Sequence, residues 1–341
     1  MLTLATRWVW DFWLVDTDTE YHLFYLQAPR EVDADQRHWN TSVGHAVSAD
    51  LTQWQVMDDV LTPSTEPAFD DYATWTGSVV RGDDGRWHMF YTGLSLSDGG
   101  QVQRIGVATS SDLYGWTKQG ARAVVTSDDR WYEQFAVTGR PEAWRDPWVV
   151  RDPDGDGWHM LITAAAATGA ADDRGVLGHA RSRDLISWEV QPPLSQPGSG
   201  FSQLEVPQLA VVGADPVLLF NCLGAQLSRA RLAAGESGGG VWVLRPDSLL
   251  GPYDVTQATR LTDESLYVGK LVQDRDGQWV LLAFVNQDAN GSFVGSISDP
   301  MPVVLPAGQG ALLTARKPPP RQEDGAAERP DDVTTSPATL S

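Results

Sequence analysis

The chain has 341 residues, a formal net charge of −20, and ordinary shares of hydrophobic (42%) and charged (21%) residues. This length can bury one large core, and the lack of surplus Lys and Arg argues against nucleic acid or anionic membranes as partners. The single cysteine, Cys222, excludes an internal disulfide and a multi-cysteine zinc site. No signal peptide or membrane-length apolar run is evident, so a cytoplasmic location is the expectation.

Two motifs recur along the chain. The first reads GHAVSADLTQW at 44–54, GVATSSDLYGW at 106–116 and GHARSRDLISW at 178–188. The second is a turn followed by an alternating aromatic strand: DTDTEYHLFYL at 16–26, DDGRWHMFYTG at 83–93 and DPDGDGWHMLITA at 152–164, with weaker copies at 213–223 and 274–285. Each turn joins two strand-like runs, which is typical of β-hairpins. Almost no segment favours a helix of ten residues or more.

Five hairpin units at this long period predict an all-β chain folded as a five-bladed β-propeller. A four-stranded sheet of this size cannot bury both faces alone, so the units must pack against one another. A β-sandwich does not explain the long period, and solenoids repeat at shorter intervals. We expect a single catalytic domain at 1–314 without a C-terminal β-sandwich. Residues 315–341 are Pro-rich and charged, which predicts a disordered tail.

Three acidic residues lie among apolar neighbours in the runs that precede hairpin turns. Asp11, Asp146 and Glu205 stand at matched distances from the following strand, in units one, three and four. The second and fifth units have Thr-Gly-Ser (76–78) and Tyr-Val-Gly (267–269) at that position. Because equivalent positions of propeller blades face a common channel, we expect the three carboxylates to converge there. Like charges held close raise at least one pKa, which separates a proton donor from an ionised carboxylate, as glycosidic cleavage requires.

Other repeated residues have a structural interpretation. Aspartates inside the first motif are predicted turn formers, and its tryptophans are predicted to pack between blades. Histidines that share one strand offset are interpreted as structural residues and not as metal ligands. Asp146 next to Arg145 can also be explained as a structural ion pair. His38 and Trp39 lie outside the repeat, in a loop predicted to line the pocket. The repeated residues are Asp50, Asp112, Asp184, Trp54, Trp116, Trp188, His22, His88 and His159.

Several of these segments resemble glycoside hydrolase family 32, the β-fructofuranosidases. The stretch YHLFYLQAPREVDADQRHWNTSVGHAVSADLTQW (21–54) is similar to the first blade of that family, and WTGSVVRGDDGRWHMFYTG (75–93) is similar to the second. Arg145-Asp146-Pro147 matches its Arg-Asp-Pro motif, and Glu205-Val206-Pro207 resembles its Glu-Cys-Pro. The resemblance covers residues 8–210, and the last blade follows by pattern alone.

The resemblance implies a role for each acid. Asp11 would be the nucleophile, Asp146 the transition-state stabiliser that binds sugar hydroxyls, and Glu205 the general acid/base. A sugar-binding subsite would be lined by Arg145, Trp75 and Ser78. A carbohydrate of small size is then the implied partner, and the mechanism requires no metal and no cofactor. Nothing in the sequence indicates the oligomeric state.

The segment around Asp11 departs from the family 32 pattern. Family 32 usually reads Trp-Met-Asn-Asp-Pro-Asn-Gly there, whereas this chain reads Trp-Val-Trp-Asp-Phe-Trp-Leu (8–14), which is closer to the Trp-Asp-x-Trp of the related family 68. We predict that Trp10 and Trp13, with Trp39 from the loop, stack on the substrate. Gln27, one position later than the glutamine of the family, is a further predicted binding residue.

Three functions remain open at this point. The leading hypothesis is a retaining hydrolase of β-fructofuranosidic bonds in sucrose or short fructans, with transfructosylation as a further activity. The second is an inverting arabinofuranosidase or xylosidase similar to family 43, distinguished by carboxylates about 6.5–9.5 Å apart instead of about 5–5.5 Å. The third is a sugar-binding propeller without turnover.

Overall fold

The computed structural model describes residues 1–304 and 314–315 and contains five antiparallel sheets arranged around one axis. The five-bladed, all-β prediction is therefore confirmed. Residues 305–313, which precede the predicted domain end at 314, lie outside the described residues, as does the predicted tail at 315–341 apart from Ala315. No helix in the described ranges is both long enough and apolar enough to cross a membrane.

Within each blade the strands follow in chain order from the centre outward. Blade one comprises β1 (Arg7–Asp16), β2 (Tyr21–Pro29), β3 (Ser42–Ser48) and β4 (Gln55–Val56). Blade two comprises β5 (Ala73–Arg81), β6 (Trp87–Leu94), β7 (Arg104–Ser110) and β8 (Thr117–Lys118). Blade three comprises β9 (Trp144–Arg151), β10 (Trp158–Ala165), β11 (Gly175–Ser182) and β12 (Trp188–Gln191).

Blade four comprises β13 (Glu205–Val212), β14 (Asp215–Cys222), β15 (Gly240–Leu244) and β16 (Thr259–Arg260). Blade five comprises β17 (Leu266–Gln273), β18 (Trp279–Gln287), β19 (Phe293–Ile297), β20 (Met301–Val304) and β21 (Thr314–Ala315), with β19 and β20 both pairing with β18. The described helices are short: 3₁₀ turns at Ala34–Trp39, Leu96–Asp98, Gly224–Gln226 and Val255–Gln257, and α-helical turns at Phe135–Thr138 and Arg229–Ala233.

Apolar side chains fill the seams between neighbouring blades. One cluster joins blades two and three, a second joins three and four, a third joins four and five, and the largest joins blades five, one and two. Each sheet thus buries both of its faces against its neighbours. The ring is closed by backbone hydrogen bonds of 2.9 Å in both directions between Leu2 and Ile297, which add the N-terminal segment to blade five.

The repeated motif has the structural role that its repetition predicts. The carboxylate of Asp50 accepts the backbone N–H groups of Thr52 and Gln53, both at 2.8 Å, and the aspartates of the other two copies make the equivalent bonds. The motif tryptophans pack between blades: Trp116 lies edge-on against a phenylalanine of blade one at 5.7 Å, and Trp188 against one of blade two at 5.3 Å.

The repeated histidines bond within their own blades. His22 Nδ1 lies 3.0 Å from a histidine of β3, and His159 Nδ1 lies 2.8 Å from a histidine of β11, with the rings stacked in each pair. His88 lies beside the carboxylate of Asp84 at 3.2 Å. In the part of the chain that the structure describes, no group of three His, Cys, Asp or Glu side chains is arranged to hold a metal.

Candidate active site

A cavity of about 500 Å³ lies where the innermost strands of all five blades meet. Asp11, Asp146 and Glu205 all line it, from blades one, three and four. Blade two contributes Thr76, and blade five contributes Tyr267. The structure therefore brings the three predicted acids together, with a hydroxyl group at the equivalent position of each of the two remaining blades.

A β-bulge interrupts every innermost strand at the level of the cavity. In blade one the residues Trp10 and Asp11 together face one partner residue, and each of the other four innermost strands has a similar register shift. The backbone at Asp146, Val206 and Val268 is left-handed, with φ of 57°, 48° and 48°. Bulges re-aim side chains near active sites, and a β-branched residue at positive φ is an uncommon, strained conformation. The bulges thus direct the acids into the cavity at a cost in backbone energy.

Asp11 is held by a hydroxyl group and carries a strongly shifted pKa. Thr76 Oγ1 donates to Asp11 Oδ2 at 2.6 Å. Burial, together with the Asp146 and Glu205 carboxylates, raises the pKa of Asp11 to about 7, although the Thr76 hydroxyl and the Arg37 guanidinium act in the opposite direction. Asp11 is therefore a carboxyl group that titrates near neutral pH.

The pKa of Asp11 predicts the pH dependence of stability. Between the unfolded pKa, near 4, and the folded pKa, about 7, the native state retains a proton that the unfolded state has lost, so stability falls as pH rises through this range. Asp11→Asn has no such proton, and we expect its Tm at pH 8 to exceed that of the wild type by about 2–4 °C. The difference should vanish below about pH 4. Thermal unfolding between pH 4 and 9 measures both.

The matched control is Asp16→Asn, at the other end of the same strand. Asp16 is partly exposed and accepts a hydrogen bond from Arg275 Nη1 at 2.7 Å, so its replacement should not raise the Tm at any pH. Equal Tm values for the wild type and Asp11→Asn at pH 8 would show that the charge on Asp11 costs no stability.

One guanidinium group connects the other two acids. Arg145 Nη2 donates to Glu205 Oε1 at 2.5 Å, and Arg145 Nε lies 3.3 Å from Asp146 Oδ2. Gln103 Oε1 and Gln203 Oε1 accept further hydrogen bonds from the same side chain at 3.3 and 3.0 Å. The Arg145–Asp146 ion pair is thus real, and it extends to Glu205 inside the cavity. A planar fork of donors fixed in this way orients both carboxylates.

Glu205 accepts two hydrogen bonds in addition to that from Arg145. Tyr267 Oη donates to Glu205 Oε2 at 2.5 Å, and Gln226 Nε2 donates to Glu205 Oε1 at 3.2 Å. Burial, followed by the Glu205 carboxylate, raises the pKa of Tyr267 well above its usual value, so the phenol remains a hydrogen-bond donor. Oε1 of Glu205 is therefore oriented by donors from blades three and four, and Oε2 by a donor from blade five.

Asp146 is the most deeply buried of the three acids, at 4% exposure. Its Oδ2 accepts hydrogen bonds from Thr163 Oγ1 at 2.8 Å and from the backbone N–H of Val206 at 3.3 Å. Burial raises the pKa of Asp146, although Arg145 opposes the change. These contacts leave Asp146 a fixed acceptor beside Arg145, suited to holding sugar hydroxyls.

Aromatic rings form one wall of the cavity. His38 lies edge-on between Trp10 (5.6 Å) and Trp75 (5.9 Å), and Trp39 stacks on Tyr72 at 5.2 Å. Trp75 Nε1 donates to the carbonyl of His38 at 2.8 Å, which ties the loop to blade two. Burial lowers the pKa of His38 to about 3, so this histidine is neutral near pH 7. The half-buried rings of Trp39 and Trp75 are suited to packing against the apolar faces of sugars, whereas Trp10 is 1% exposed.

The sequence of the chain also matches a known protein family. The model of the glycosyl hydrolases family 32 N-terminal domain matches residues 12–293. The chain belongs to glycosyl hydrolase family 32. The matched range spans all five blades, including the fifth, and contains both Asp146 and Glu205.

Individual relatives of this family 32 domain share sequence or fold with it. A raffinose invertase of Escherichia coli is 27% identical over 283 residues, 80% of this chain and 53% of the relative. An insoluble β-fructofuranosidase isoenzyme of Arabidopsis thaliana is 32% identical over 176 residues, 49% of this chain and 26% of the relative. The chain thus spans between about a quarter and about half of the length of these curated relatives.

A solved structure matches the family 32 domain over a larger share of both chains than these relatives do. The inulosucrase from Halalkalicoccus jeotgali, determined with bound kestose, superposes with a TM-score of 0.73 at 20% identity, covering 92% of this chain and 90% of that chain. At this identity the likeness shows a common propeller fold. The coverage of both chains shows that the two folds have nearly the same extent.

The structure places four of the seven predicted binding residues on the cavity of this family 32 domain and three away from it. Trp10, Trp39, Trp75 and Arg145 line the cavity. In the part of the chain that the structure describes, Trp13, Gln27 and Ser78 do not line this cavity, and all three side chains are buried elsewhere in blades one and two.

Each of these three side chains has structural contacts instead. Trp13 stacks on Phe24 at 6.2 Å in the core of blade one. Gln27 Nε2 donates to Asp59 at 2.6 Å, and Ser78 Oγ accepts the backbone N–H of Val149 at 3.2 Å. For Trp13 and Ser78 the bulges are the physical reason, because they change which residues of the innermost strands face the axis. Gln27 lies on β2, the second strand of its blade, and its amide bonds to the neighbouring β3 and to the segment after β4.

Several cavity residues of the family 32 domain were not predicted from the sequence. Thr76 and Tyr267 stand in the two blades that lack an acid, at the position where the other blades have one, and this register was the signal that could have identified them. Arg37 and Gln103 also line the cavity. The Arg37 guanidinium carbon lies 4.0 Å from the ring centroid of Phe293, and Gln103 lies in the loop before β7 of blade two. No repeat marks these two positions.

Proposed function

We propose that this protein is a retaining glycoside hydrolase that cleaves β-fructofuranosidic bonds in sucrose or short fructo-oligosaccharides, and that it also transfers fructosyl groups. The observation that carries the proposal is the placement of Asp11 and Glu205 in one cavity of a family 32 domain, which Asp146 and Arg145 also line. The names of the relatives, an invertase and a β-fructofuranosidase, support fructosides as the substrate class.

In the first step, an oxygen of Asp11 attacks the anomeric carbon of the fructosyl group and forms a covalent ester. The bond from that carbon to the leaving oxygen breaks, and Glu205 gives its proton to this oxygen. In the second step Glu205 takes a proton from water, which attacks the same carbon and releases Asp11. A sugar hydroxyl in the place of water yields the transfer product.

Asp146 and Arg145 would hold the sugar during both steps. The Asp146 carboxylate is a fixed acceptor because Thr163 and the Val206 N–H already orient it. Arg145 holds Glu205 at 2.5 Å and so keeps the proton donor near the leaving oxygen. Groups held in advance of the reaction avoid a reorganisation cost in the transition state.

The nucleophile must be ionised to attack, and this sets the acidic limb of the pH profile. Because the pKa of Asp11 in the free protein is raised to about 7, kcat/KM for a fructoside should rise with pH up to about 7. Bound substrate excludes water from the cavity and so changes the surroundings of Asp11. The acidic limb of kcat therefore reports the pKa of Asp11 in the enzyme–substrate complex, not in the free protein.

The test is a panel of substrates with product analysis. Purified protein is incubated with sucrose, inulin, levan oligosaccharides and nitrophenyl furanosides of arabinose and xylose, and the released sugars are quantified. Fructose release supports the proposal, whereas release of arabinose or xylose would assign the site to another furanoside. No turnover on any substrate would leave sugar binding, measured by calorimetry, as the function.

Stereochemistry is measured in the same assay. With methanol as acceptor, a retaining enzyme converts sucrose to methyl β-fructofuranoside, which NMR distinguishes from the α-anomer. Formation of the α-anomer would contradict a covalent intermediate on Asp11 and indicate direct displacement by the acceptor.

A further inference from the structure

A lysine ammonium group is buried behind the wall of the cavity. Lys270 follows the bulge of β17 and is 2% exposed. Its Nζ lies 3.3 Å from the carbonyl oxygens of both Val206 and Pro207 and 4.9 Å from the ring centroid of Trp148. Among the described residues no carboxylate lies within ion-pair distance of it. A buried ammonium without a carboxylate partner is costly and rarely occurs without a function.

The two carbonyl groups belong to the bulge that positions the acids. Val206 follows Glu205 directly, has a φ of 48°, and donates its N–H to Asp146 Oδ2 at 3.3 Å. The peptide groups on either side of Val206 therefore connect Lys270 to both Glu205 and Asp146. Two hydrogen bonds from a cation to the carbonyl groups of a strained bulge stabilise that conformation.

Two carboxylates of the active site act on the charge of Lys270. Burial lowers the pKa of Lys270 to about 7, while the Asp146 and Asp11 carboxylates oppose this change. The remaining groups that face the cavity are Glu205, Arg145, Tyr267, Arg37, Asp35 and His38. Arg145 is bound to Glu205. Lys270 keeps its proton below about pH 7, and in that range its ammonium is a second positive charge that acts on Asp146 and Asp11.

We propose that Lys270 is a positioning residue of the active site, whose ammonium holds the Glu205–Pro207 bulge and places a positive charge between β13 and β17, the strands that carry Glu205 and Tyr267. The kinetic part of this proposal rests on the proposed function. The electrostatic part does not, because Asp11 titrates whether or not a fructoside is cleaved.

The test compares Lys270→Met with a matched control on the same two strands. Gln208 also joins β13 to β17: its Nε2 donates to the carbonyl of Leu271 at 2.9 Å, and its Oε1 accepts the N–H of Leu271 at 2.7 Å. Gln208→Met removes this connection without changing a charge. We expect both variants to lower the Tm, and only Lys270→Met to move the acidic limb of kcat/KM upward by about half a pH unit or more.

A second readout needs no substrate. The Tm gain of Asp11→Asn grows with pH until Asp11 is ionised in the native state and then levels off. In the Lys270→Met background we expect this plateau at a higher pH than in the wild type, and in the Gln208→Met background at the same pH. If no fructoside is cleaved, the proposed function fails while this measurement still decides the role of Lys270.

The outcomes separate a positioning role from a purely structural one. Identical pH profiles and identical plateaus for the wild type, Lys270→Met and Gln208→Met would overturn the proposal and leave Lys270 as a connection between strands. Where Lys270→Met does not fold, Lys270→Gln replaces it, because the amide retains a donor for the two carbonyl groups but carries no charge. The same shifts are expected for this variant.

Discussion

Asp11→Asn is expected to lower fructose release from sucrose by at least about 10⁴-fold, because an amide oxygen is too weak a nucleophile to form the covalent intermediate. The substitution preserves the size of the side chain, and the amide oxygen can still accept the Thr76 hydroxyl that now lies 2.6 Å from Oδ2. The loss should therefore fall on kcat with little change in KM. Initial rates and single-turnover measurements with sucrose separate the two parameters.

The stability of the variant is its own internal control. Since Asp11→Asn should be at least as stable as the wild type above pH 7, a loss of activity cannot be explained by unfolding. Asp16→Asn, on the same strand but away from the cavity, should retain wild-type turnover. Residual activity of Asp11→Asn above about 10% of wild type would exclude Asp11 as the nucleophile.

Glu205→Gln is expected to reduce turnover of sucrose by about 10²–10⁴-fold, the usual contribution of a general acid. The amide fits the existing hydrogen bonds: its oxygen can accept from Arg145 and its NH₂ can donate to the oxygen of Tyr267. An aryl fructofuranoside has a leaving group that needs little protonation. For such a substrate the first step should be nearly normal, and the covalent intermediate should accumulate because no base activates water.

This difference between substrates distinguishes the two acids. A burst of released phenol followed by slow turnover is expected for Glu205→Gln, whereas Asp11→Asn should show no burst. The matched control is Glu142→Gln, a buried carboxyl group that accepts from Ser127 Oγ at 3.0 Å and from the backbone N–H of Phe135 at 2.9 Å, outside the cavity. Equal losses of Glu205→Gln in the rate of the first step on sucrose and on the aryl fructoside would contradict a proton-donor role for Glu205.

The repeats determine the architecture because they are local. The Ser-x-Asp-Leu-x-x-Trp turn closes on its own backbone through Asp50 and its counterparts, and its tryptophan reaches the next blade wherever the motif occurs. A sheet of four short strands has two apolar faces to bury, so such units pack in a ring. The matched positions of Asp11, Asp146 and Glu205 in these units were therefore sufficient to predict that they share one cavity.

By itself, the sequence determined the five blades and the three acids that meet at their axis, since both follow from hairpin chemistry and a repeated register. The tertiary structure decided which neighbouring side chains reach the cavity. Bulges in all five innermost strands bring Thr76 and Tyr267 to the acids and leave Trp13 and Ser78 in the core. Each bulge lies within one hairpin, but the side chains it turns inward meet only when the blades close into a ring. The burial of Lys270 against Val206, Pro207 and Trp148 joins segments distant in sequence, and no local pattern encodes it.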